Sequence, residues 1–587
     1  MVHHETADEL SAMPKHHQAT HDEKLIITAS SLGTVFEWYD FYLYGLLTAI
    51  IAAQFLTGLN PTTSFIMALL VFAAGFIVRP FGALVFGRIG DLVGRRYTFI
   101  ITLLVMGLST FLVGCLPTYK TAGVAAPIML VVLRMFQGLA LGGEYGGAAT
   151  YVAEHAPNNR RGFYTSWIQI TATAGLAMAL LIVITVRSPV TGVGEDAFKE
   201  WGWRVPYLIS GLFLAVGLWL RLKLHESPVF QKMKAEGTGS KRPLSEAFGE
   251  WKNLKVVLIA FFGAIAGQAV VWYTGQLYAM FFLEKMLKVD GITANGLIII
   301  ALLLATPFFL FFGWLSDKVG RKPIILIGCA LAALTLFPVF KALTSAANPA
   351  LAQAQATAPV TVTAFPGECS SQFDPVGANK FDSTSCDIVK NALAKAAVNY
   401  ENISAAPGTI ATITIGDKRF TAPDPAKISG DDKKKAISDF TASVVGAPEV
   451  KAKPAEGDKP AVEAKPAVVG ELAKVGYPAK ANPDQIDKPK VIAILFYLVL
   501  LVTMVYGPIA AWLVELFPTR IRYTSMSLPY HVGNGWFGGF LPVTSFAIVA
   551  ATGDIYAGLW YPVGVAATSC VIGALFLRET YRDHLPA

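Results

Sequence analysis

The chain has 587 residues, of which 54% are hydrophobic and 15% are charged, and its mean hydropathy is +0.50. A soluble protein of this length would carry more charge, so the composition excludes an ordinary soluble protein. The net charge of +7 is scattered through short loops between apolar runs, which argues against the clustered basic face of a nucleic-acid-binding protein. We find no nucleotide-binding loop, metal-ligand cluster or catalytic triad in the sequence, so it supports neither an enzyme nor a bound metal or cofactor.

In chain order, residues 1–24 form a polar tail in which we find no cleavable signal sequence. Segment 25–222 is predicted to hold six membrane helices, at about 25–55, 64–86, 97–116, 124–153, 163–186 and 205–222. A basic linker over 223–255 leads to a second set of six in segments 256–343 and 491–577, at about 256–283, 297–315, 324–343, 491–516, 525–550 and 557–577. The polar insert 344–490 interrupts this second set, and 578–587 is a short final tail.

A polar turn after the second helix recurs after the eighth. Residues 87–96 read GRIGDLVGRR and residues 313–322 read GWLSDKVGRK, with the same spacing of glycine, aspartate, glycine and basic pair. A glutamate followed by arginines recurs after the fourth and tenth helices, at Glu154 and Glu515. The offsets are 317 − 91 = 226 and 515 − 154 = 361, and their difference of 135 is about the length of the insert. The second half is therefore predicted to repeat the first, with the insert placed after its third helix.

Lysine and arginine collect in the loops on the side of the repeated turns and the basic linker, whereas the opposite short loops hold few. Because these residues favour the cytoplasmic side, we expect both termini to be cytoplasmic and the insert to lie outside. The insert contains Cys369 and Cys386, for which an oxidising compartment favours a disulfide, and two free thiols are the alternative. Residues 408–416 are predicted to form a short strand, and 451–480 a Pro/Ala/Lys-rich linker.

These motifs resemble the major facilitator superfamily, whose best-known signature is the Gly-x-x-x-Asp-x-x-Gly-Arg-Arg/Lys turn. More narrowly, the chain is similar to the metabolite:proton symporters in EWYDF at 37–41, RPFG at 79–82, RxxQG at 134–138, GGE at 142–144 and ExxPxxRRG at 154–162. The resemblance covers about 25–345 and 490–580, and the large insert departs from the usual pattern. It implies an all-α protein of the plasma (bacterial inner) membrane, with twelve transmembrane helices in two six-helix bundles. That branch carries shikimate, 2-oxoglutarate, citrate, and proline or betaine together with protons.

The repeated turns are expected to act as a conformational latch between bundles that rock about a central site. Asp91 is expected to accept hydrogen bonds from Arg95 and from the start of the eleventh helix near Tyr523, and Asp317 from the fifth helix near Phe163. Gly87 and Gly94 are expected to permit the tight turn, and a static loop cap is the alternative. The expected latch residues are Gly87, Asp91, Gly94, Arg95, Gly313, Asp317, Gly320, Arg321, Glu154, Arg161, Glu515 and Arg522.

Charged residues inside the apolar helices are candidates for proton coupling, because a charge in hydrocarbon is costly. Asp40 lies about 22 Å along the first helix and Arg134 about 15 Å along the fourth. We predict that Asp40 carries the proton with Arg134 as its switchable partner, an arrangement with precedent in the sugar porters of the superfamily. Glu37 and Glu144 are the further candidates, and ion pairs that only fix helix packing are the alternative.

The predicted substrate site combines one buried cation with neutral polar and aromatic side chains. Arg79 is expected to bind a carboxylate of the substrate through its planar fork. His531 is also a minor proton candidate, because histidine titrates near neutral pH. Packing remains the alternative for each neutral group taken alone. The other predicted substrate residues are Tyr42, Gln137, Gln169, Gln268, Trp272, Tyr273 and Asn534.

The sequence thus predicts a proton-coupled symporter of a small polar metabolite, most simply an organic acid. A proline or betaine carrier is the first alternative, with Trp38, Tyr39, Trp272 and Tyr273 caging a quaternary ammonium. A transporter-like receptor that binds a ligand through its outer domain is the second. The expected partners are the substrate, protons and the lipid bilayer, without nucleic acid, and we expect a monomer.

Overall fold

The computed structural model describes residues 21–56, 61–223, 226–370, 381–396, 398–447 and 466–582. Most of the predicted N-terminal tail, half of the predicted linker 451–480 and residues 583–587 lie outside these ranges. Within them, twelve long helices follow one another in the expected order. The third to twelfth are long and apolar enough to cross a membrane.

The helices fall into two sets of six. The first set is His21–Leu46 continued by Thr48–Phe55, then Pro61–Leu92, Arg95–Cys115, Ala125–His155, Arg161–Arg187 and Arg204–Leu222. The second set is Trp251–Met286, Gly291–Val319, Arg321–Ala347, Lys488–Leu516, Arg522–Thr552 and Ala557–Phe576. Shorter helical segments connect them: Tyr119–Ala122, Asn158–Arg160, Glu195–Ala197, Phe198–Gly202, Pro228–Ala235 and Pro243–Gly249. The predicted all-α membrane architecture is confirmed for the transport core.

Glycine allows the second and fourth helices to touch backbone to backbone. A Cβ atom added at Gly82 would collide with the Leu139 carbonyl, and one at Gly142 would collide with the Arg79 carbonyl. A side chain at either position would force the helices apart, because close-packed interiors leave no spare space. This contact brings Arg79 and Glu144 from two helices to the same central space.

Local irregularities mark the helices of the second set that face the first. The seventh helix contains π-helical segments at Phe261–Ile265, Thr274–Tyr278 and Phe282–Met286, and the eleventh contains one at Gly533–Gly538. Such segments occur often at functional sites, because the extra residue re-aims neighbouring side chains. The regular stretch Ala266–Tyr273 between two of them carries three of the predicted substrate residues.

The insert folds into a small α/β unit with more strands than the sequence predicted. Its strands are β1 (Val360–Ala364), β2 (Glu401–Ser404), β3 (Thr412–Ile415) and β4 (Lys418–Thr421), and its helices are Pro349–Thr357, Ser385–Lys395, Gly430–Val444 and Glu471–Lys474. The sheet has the order β2-β1-β3-β4, with β1 parallel to β2 and antiparallel to β3. The single predicted strand, 408–416, corresponds to β3. β2 and β4 were missed because they are almost entirely exposed and lack an apolar face. β1 alternates buried and half-buried residues, a pattern that was overlooked in the sequence.

The insert is fixed to the second set of helices. Its two ends meet at the top of the ninth and tenth helices, where the Asp487 amide donates to the Ala346 carbonyl over 3.0 Å. Asn402 Nδ2 donates to the Thr552 carbonyl over 2.7 Å, and the Tyr400 amide donates to the Gly553 carbonyl over 3.1 Å, both where the eleventh helix ends. Cys369 and Cys386 form a disulfide within the insert.

Candidate functional site

The two repeated turns lie at one end of the bundles, which we name the turn end. There the Asp91 carboxylate accepts hydrogen bonds from the backbone amides of Tyr523 at 3.3 Å and Thr524 at 2.9 Å. Arg95 Nη1 lies 3.2 Å from the same carboxylate. A carboxylate from the first bundle therefore caps the positive N-terminal end of the eleventh helix in the second bundle.

The second turn makes the reciprocal contact. Asp317 accepts from the amides of Gly162 and Phe163, each at 2.8 Å, at the start of the fifth helix. Arg321 Nη1 lies 2.6 Å from Asp317. The repeated sequence thus produces two equivalent bridges between the bundles, one in each direction.

Two glutamates add ion pairs between the bundles. Arg522 Nη1 lies 2.8 Å from Glu154 Oε1, and Arg161 Nη1 lies 2.7 Å from Glu515 Oε1. Glu515 also pairs with Arg321 at 3.0 Å. These side chains are buried, so the turn end is closed in this conformation. We name the eight charged groups together the latch: Asp91, Arg95, Glu154, Arg522, Asp317, Arg321, Arg161 and Glu515.

The glycines of the turns do two different things. Gly94 and Gly320 have φ of 139° and 107°, which only glycine adopts readily, and they separate consecutive helices. Gly87 instead lies inside the second helix, where an added Cβ would be 3.0 Å from Thr524 Cα in the other bundle. Gly313 is its equivalent and would meet Ser166. The expectation that Gly87 shapes the turn is therefore wrong: it permits close approach of the bundles.

A second repeated pair supports the latch and was missed in the sequence. Glu226 accepts from the amides of Arg95 and Arg96 at 3.2 Å, and Glu579 accepts from the amides of Arg321 and Lys322 at 3.0 Å. The next residue in the chain after each glutamate, Ser227 and Thr580, donates a hydroxyl hydrogen bond to Glu154 and Glu515 respectively. The signal was available: Glu-Ser at 226–227 follows the sixth helix and Glu-Thr at 579–580 follows the twelfth.

A narrow cavity lies between the bundles above the latch. The space open to the centres of water molecules is about 20 Å³, room for one or two waters and too little for a metabolite. Both bundles contribute to its wall, so motion between them changes its size. Its lining residues are Thr34, Trp38, Arg79, Leu141, Glu144 and Tyr145 from the first bundle, and Trp272, Tyr273, Tyr506, Tyr530, His531 and Asn534 from the second.

Arg79 and His531 bring unused hydrogen-bonding capacity to this cavity. Arg79 is 3% exposed, and its Nε and Nη2 atoms have no hydrogen-bond partner within the described residues. Its guanidinium lies against the Phe41 and Phe76 rings, with each centroid 4.6 Å away. Neither ring nitrogen of His531 has a hydrogen-bond partner among the described residues. Buried polar atoms without partners are costly, so these two side chains make the cavity the candidate ligand site.

Aromatic rings close the cavity across the bundle boundary. Trp38 of the first helix and Trp272 of the seventh have ring centroids 6.3 Å apart. Tyr145 of the fourth helix is stacked on Tyr530 of the eleventh, with centroids 3.6 Å apart and planes at 3°. Tyr506 and Tyr530 share a hydrogen bond of 2.8 Å between their hydroxyls. Aromatic rings therefore form much of the cavity wall, and the tyrosine hydroxyls add polar groups to it.

Several predicted substrate residues stand one layer behind this wall. Gln268 Nε2 donates to Asn534 Oδ1 at 3.2 Å and Asn534 Nδ2 donates back at 3.1 Å, so the pair orients Asn534 toward the cavity. Gln169 Nε2 donates to the Tyr145 hydroxyl at 2.9 Å. Tyr42 packs on Trp38, with ring centroids 5.6 Å apart. These residues position the lining instead of forming it.

Asp40 and Arg134 are not in direct contact in this conformation. The Ser210 hydroxyl donates to Asp40 Oδ1 at 2.7 Å, and Thr110 lies against the same carboxylate. Gln137 connects the two charges: its Nε2 donates to Thr110 Oγ1 at 2.9 Å, and its Oε1 accepts from Arg134 Nη1 at 2.6 Å. Both ends of the Gln137 amide are used, and it does not line the cavity. Contact between Gln137 and substrate therefore stays a prediction, and in this conformation Gln137 lies behind the cavity wall.

Glu37 and Glu144 meet at an arginine that is not among the predicted site residues. Arg221, near the end of the sixth helix, places Nη1 2.8 Å from Glu37 Oε1 and Nη2 3.0 Å from Glu144 Oε1. All three side chains are at most 2% exposed. Arg221 lies two residues before Lys223 at the start of a basic linker, so it resembled an interfacial cation. The signal that could have found it is an arginine still within an apolar helix.

Comparisons with known proteins agree with this architecture. A family model described as Major Facilitator Superfamily matches residues 30–366. The "Alpha-ketoglutarate permease" of Escherichia coli (strain K12) is 34% identical over 323 residues, which cover 55% of this chain and 72% of that protein. The "Proline/betaine transporter" of Salmonella typhimurium is 37% identical over 328 residues, covering 54% of this chain and 63% of that protein, just under two thirds of its length.

A solved structure shows the same fold. The proton:xylose symporter XylE bound to 6-bromo-6-deoxy-D-glucose superposes with a TM-score of 0.59 at 15% sequence identity, covering 95% of this chain and 96% of that one. At this identity the likeness concerns the fold alone. With the repeated turns, the paired bundles and the match over more than half of its length, the chain belongs to the major facilitator superfamily of multi-pass membrane transporters.

Proposed function

We propose that the protein carries a small organic carboxylate together with protons by alternating access. The observation that carries this proposal is the Arg79 guanidinium, which is buried in the central cavity with two nitrogens that have no partner among the described residues. A buried cation without a counter-ion is costly, and an anionic substrate would remove that cost. The planar fork of arginine suits a carboxylate in two-point contact.

The surroundings of Arg79 favour an anion over a neutral sugar. His531 lines the same cavity, its ring nitrogens have no partner in the part of the chain that the structure describes, and the Tyr273 hydroxyl interacts with Arg79. Glu144, the carboxylate among the lining residues, is already bonded to Arg221 and Thr34. A dicarboxylate would place one carboxylate on Arg79 and have His531 available for the other.

A zwitterion such as proline or betaine is the second candidate. Its carboxylate would also occupy Arg79, and its cationic nitrogen would lie against aromatic faces, which attract cations. The facing rings of Trp38 and Trp272 favour this alternative, because they lie in the same cavity as Arg79. The two candidates therefore share the carboxylate contact and differ in the group at the other end.

The transport cycle follows from the latch. In the present conformation the latch holds the turn end closed, and the cavity is too narrow for a metabolite. Loading requires the bundles to separate at the opposite end, and release requires the latch to break. We propose that the turn end faces the cytoplasm, that both termini are cytoplasmic and that the insert faces outward.

Counterflow in proteoliposomes tests the proposal. Purified protein is loaded with unlabelled compound, and exchange of labelled 2-oxoglutarate is compared with exchange of labelled glycine betaine. Exchange of 2-oxoglutarate supports the carboxylate carrier, and exchange of betaine alone supports the zwitterion carrier. Accumulation is then measured with and without an imposed pH gradient. Exchange of neither compound, or of a sugar only, contradicts the role of Arg79.

A further inference from the structure

Two carboxylates and one guanidinium form a closed group inside the first bundle, which we name the triad: Glu37, Glu144 and Arg221. Arg221 is immobilised, because its Nη1 also donates to the Phe99 carbonyl at 2.7 Å and its guanidinium lies 3.7 Å from the centroid of the Phe99 ring. Gly33 leaves room for it, since an added Cβ would lie 2.9 Å from the guanidinium. The cation of the triad is therefore a fixed element.

The two carboxylates of the triad also meet each other. Glu37 Oε1 and Glu144 Oε1 contact the same guanidinium, at 2.8 Å and 3.0 Å, so the carboxylates are neighbours, and Glu37 Oε2 is buried without a partner in the described residues. Glu144 accepts from the Thr34 hydroxyl at 2.9 Å and from the Thr102 hydroxyl at 3.4 Å. Two neighbouring ionised carboxylates repel one another, whereas one proton shared between them makes the contact favourable.

The net charge of the triad also favours one bound proton. With both glutamates ionised, the triad carries a net charge of −1 in a water-excluded place, and with one proton it is neutral. The other titratable group that faces it is Tyr523 from the eleventh helix, whose hydroxyl donates to the Gly143 carbonyl. Beyond Tyr523, Asp91 and Arg95 form an ion pair of their own. Arg79 lines the same cavity as Glu144, but among the described residues Arg221 is the cation in an ion pair with the two glutamates.

We propose that Glu37 and Glu144 together bind one transported proton, with Arg221 as their permanent counter-cation. This inference rests on the proposed proton-coupled transport and moves the proton site from Asp40 to the triad. Glu144 and Thr34 line the cavity, so water reaches the pair when the cavity opens. The proton then binds a carboxylate oxygen and is shared by the second carboxylate.

The position of the triad explains how substrate and proton are coupled. Glu144 and Arg79 line the same cavity, so an anion bound at Arg79 adds negative charge near the pair. That charge favours the protonated form, and by reciprocity the proton favours binding of the anion. Both ligands are then carried in the same direction.

Infrared difference spectroscopy of the full-length protein in lipid nanodiscs tests the site without any substrate. The spectrum at acid pH minus that at alkaline pH reports the carbonyl band of a protonated carboxylic acid. We expect this band in the parent and its loss in both Glu37→Gln and Glu144→Gln, because each leaves one carboxylate opposite one guanidinium. Asp40→Asn, the matched control, should keep it. A band that survives in either glutamine variant, or disappears in Asp40→Asn, overturns the proposal.

A second pair of variants guards against misfolding. Glu37→Asp and Glu144→Asp retain two carboxylates and should keep a shifted band, so its loss in these variants also contradicts the proposal. In the transport assay, Glu144→Gln should lose pH-driven accumulation of labelled 2-oxoglutarate but retain counterflow. If no tested compound is transported, the proposed function fails, whereas the infrared result still decides whether the triad holds the proton.

Discussion

Arg161 Nη1 lies 2.7 Å from Glu515 Oε1, and this bond joins the fifth helix of one bundle to the tenth helix of the other. Its counterpart, Arg522 with Glu154, joins the eleventh helix to the fourth over 2.8 Å. In the first pair the arginine belongs to the first bundle, and in the second pair it belongs to the second bundle, as expected for two repeats that face each other. The latch as a whole balances four carboxylates against four guanidinium groups, so the bundles can be buried against each other without net charge.

Breaking one bridge of the latch should release the turn end. In Asp91→Asn the charge that faces Arg95 and the amides of Tyr523 and Thr524 is removed, while one acceptor oxygen remains. Loss of one partner of a buried ion pair costs on the order of 3 kcal/mol, which is about a hundredfold in the conformational equilibrium. We expect slower transport with substrate binding retained.

Distances between spin labels check this prediction. Labels at Val93 and Val319, which are exposed at the two turns, report the separation of the bundles after Cys115, Cys329 and Cys570 have been replaced. Asp91→Asn should shift the distribution to longer distances. Asp290→Asn is the control, because Asp290 also caps a helix N-terminus, that of the eighth helix, but does so within one bundle. Unchanged distances with normal turnover would mean that Asp91 is only a static cap.

The sequence was sufficient for the helices and the latch because both depend on local patterns. Membrane helices are long apolar runs, and the latch residues recur at fixed spacing in both halves. The partners of Asp91 and Asp317 could be predicted as well, since helix N-termini attract carboxylates. The cross-pairing of Glu154 with Arg522, instead of with a nearby arginine of its own loop, depends on how the bundles face each other.

The cavity was harder to predict because helix rotation decides which side chains reach it. Gln137 lies within a recognisable motif, yet it faces Thr110 behind the wall. Arg221 was overlooked because its position near a helix end predicts a solvated cation, whereas its side chain is fully buried between two glutamates. A single sequence contains the charges but not the rotation of each helix, so it cannot say which of them pair.

Arg79 should control substrate affinity. A lysine keeps the charge but loses the two-point contact, so Arg79→Lys should weaken binding by about 1.5–3 kcal/mol, roughly ten- to a hundredfold. Arg79→Gln should bind more weakly still. Quenching of tryptophan fluorescence measures this directly, because Trp38 and Trp272 line the cavity. Arg204→Lys, which alters an arginine bonded to the carbonyls of Gly114 and Leu116, should bind as the parent does. Parent-like affinity in both Arg79 variants would make Arg79 a packing residue.

The disulfide should stabilise the insert without affecting transport. It closes a loop with a sequence separation of 17, for which chain entropy predicts about 3 kcal/mol. Replacing both cysteines by serine should therefore accelerate hydrogen exchange in β1 and β3, while the helices exchange as before. Cys115→Ser, which removes a free thiol, is the matched control. Mass spectrometry of the unreduced parent should find Cys369 and Cys386 linked, and two free thiols there would rule the bridge out.

Removing the insert should leave a working carrier. Asn348 and Asp487 can be joined by a short glycine linker, because the Asp487 amide already lies 3.0 Å from the Ala346 carbonyl. The deletion removes the contacts of Tyr400 and Asn402 with the end of the eleventh helix, but the latch and the cavity contain no insert residue.

We expect the shortened protein to carry out counterflow at a rate close to that of the parent, after correction for the amount and orientation of protein in the liposomes. Asn399→Ala is the control, because it keeps the insert and removes only the bonds of Asn399 with Asp554 and Ile555. If the deletion abolishes substrate binding while the helices remain folded, the insert takes part in recognition, as the receptor alternative requires. If binding remains but exchange stops, the insert is needed for motion of the second bundle, to which it is fixed.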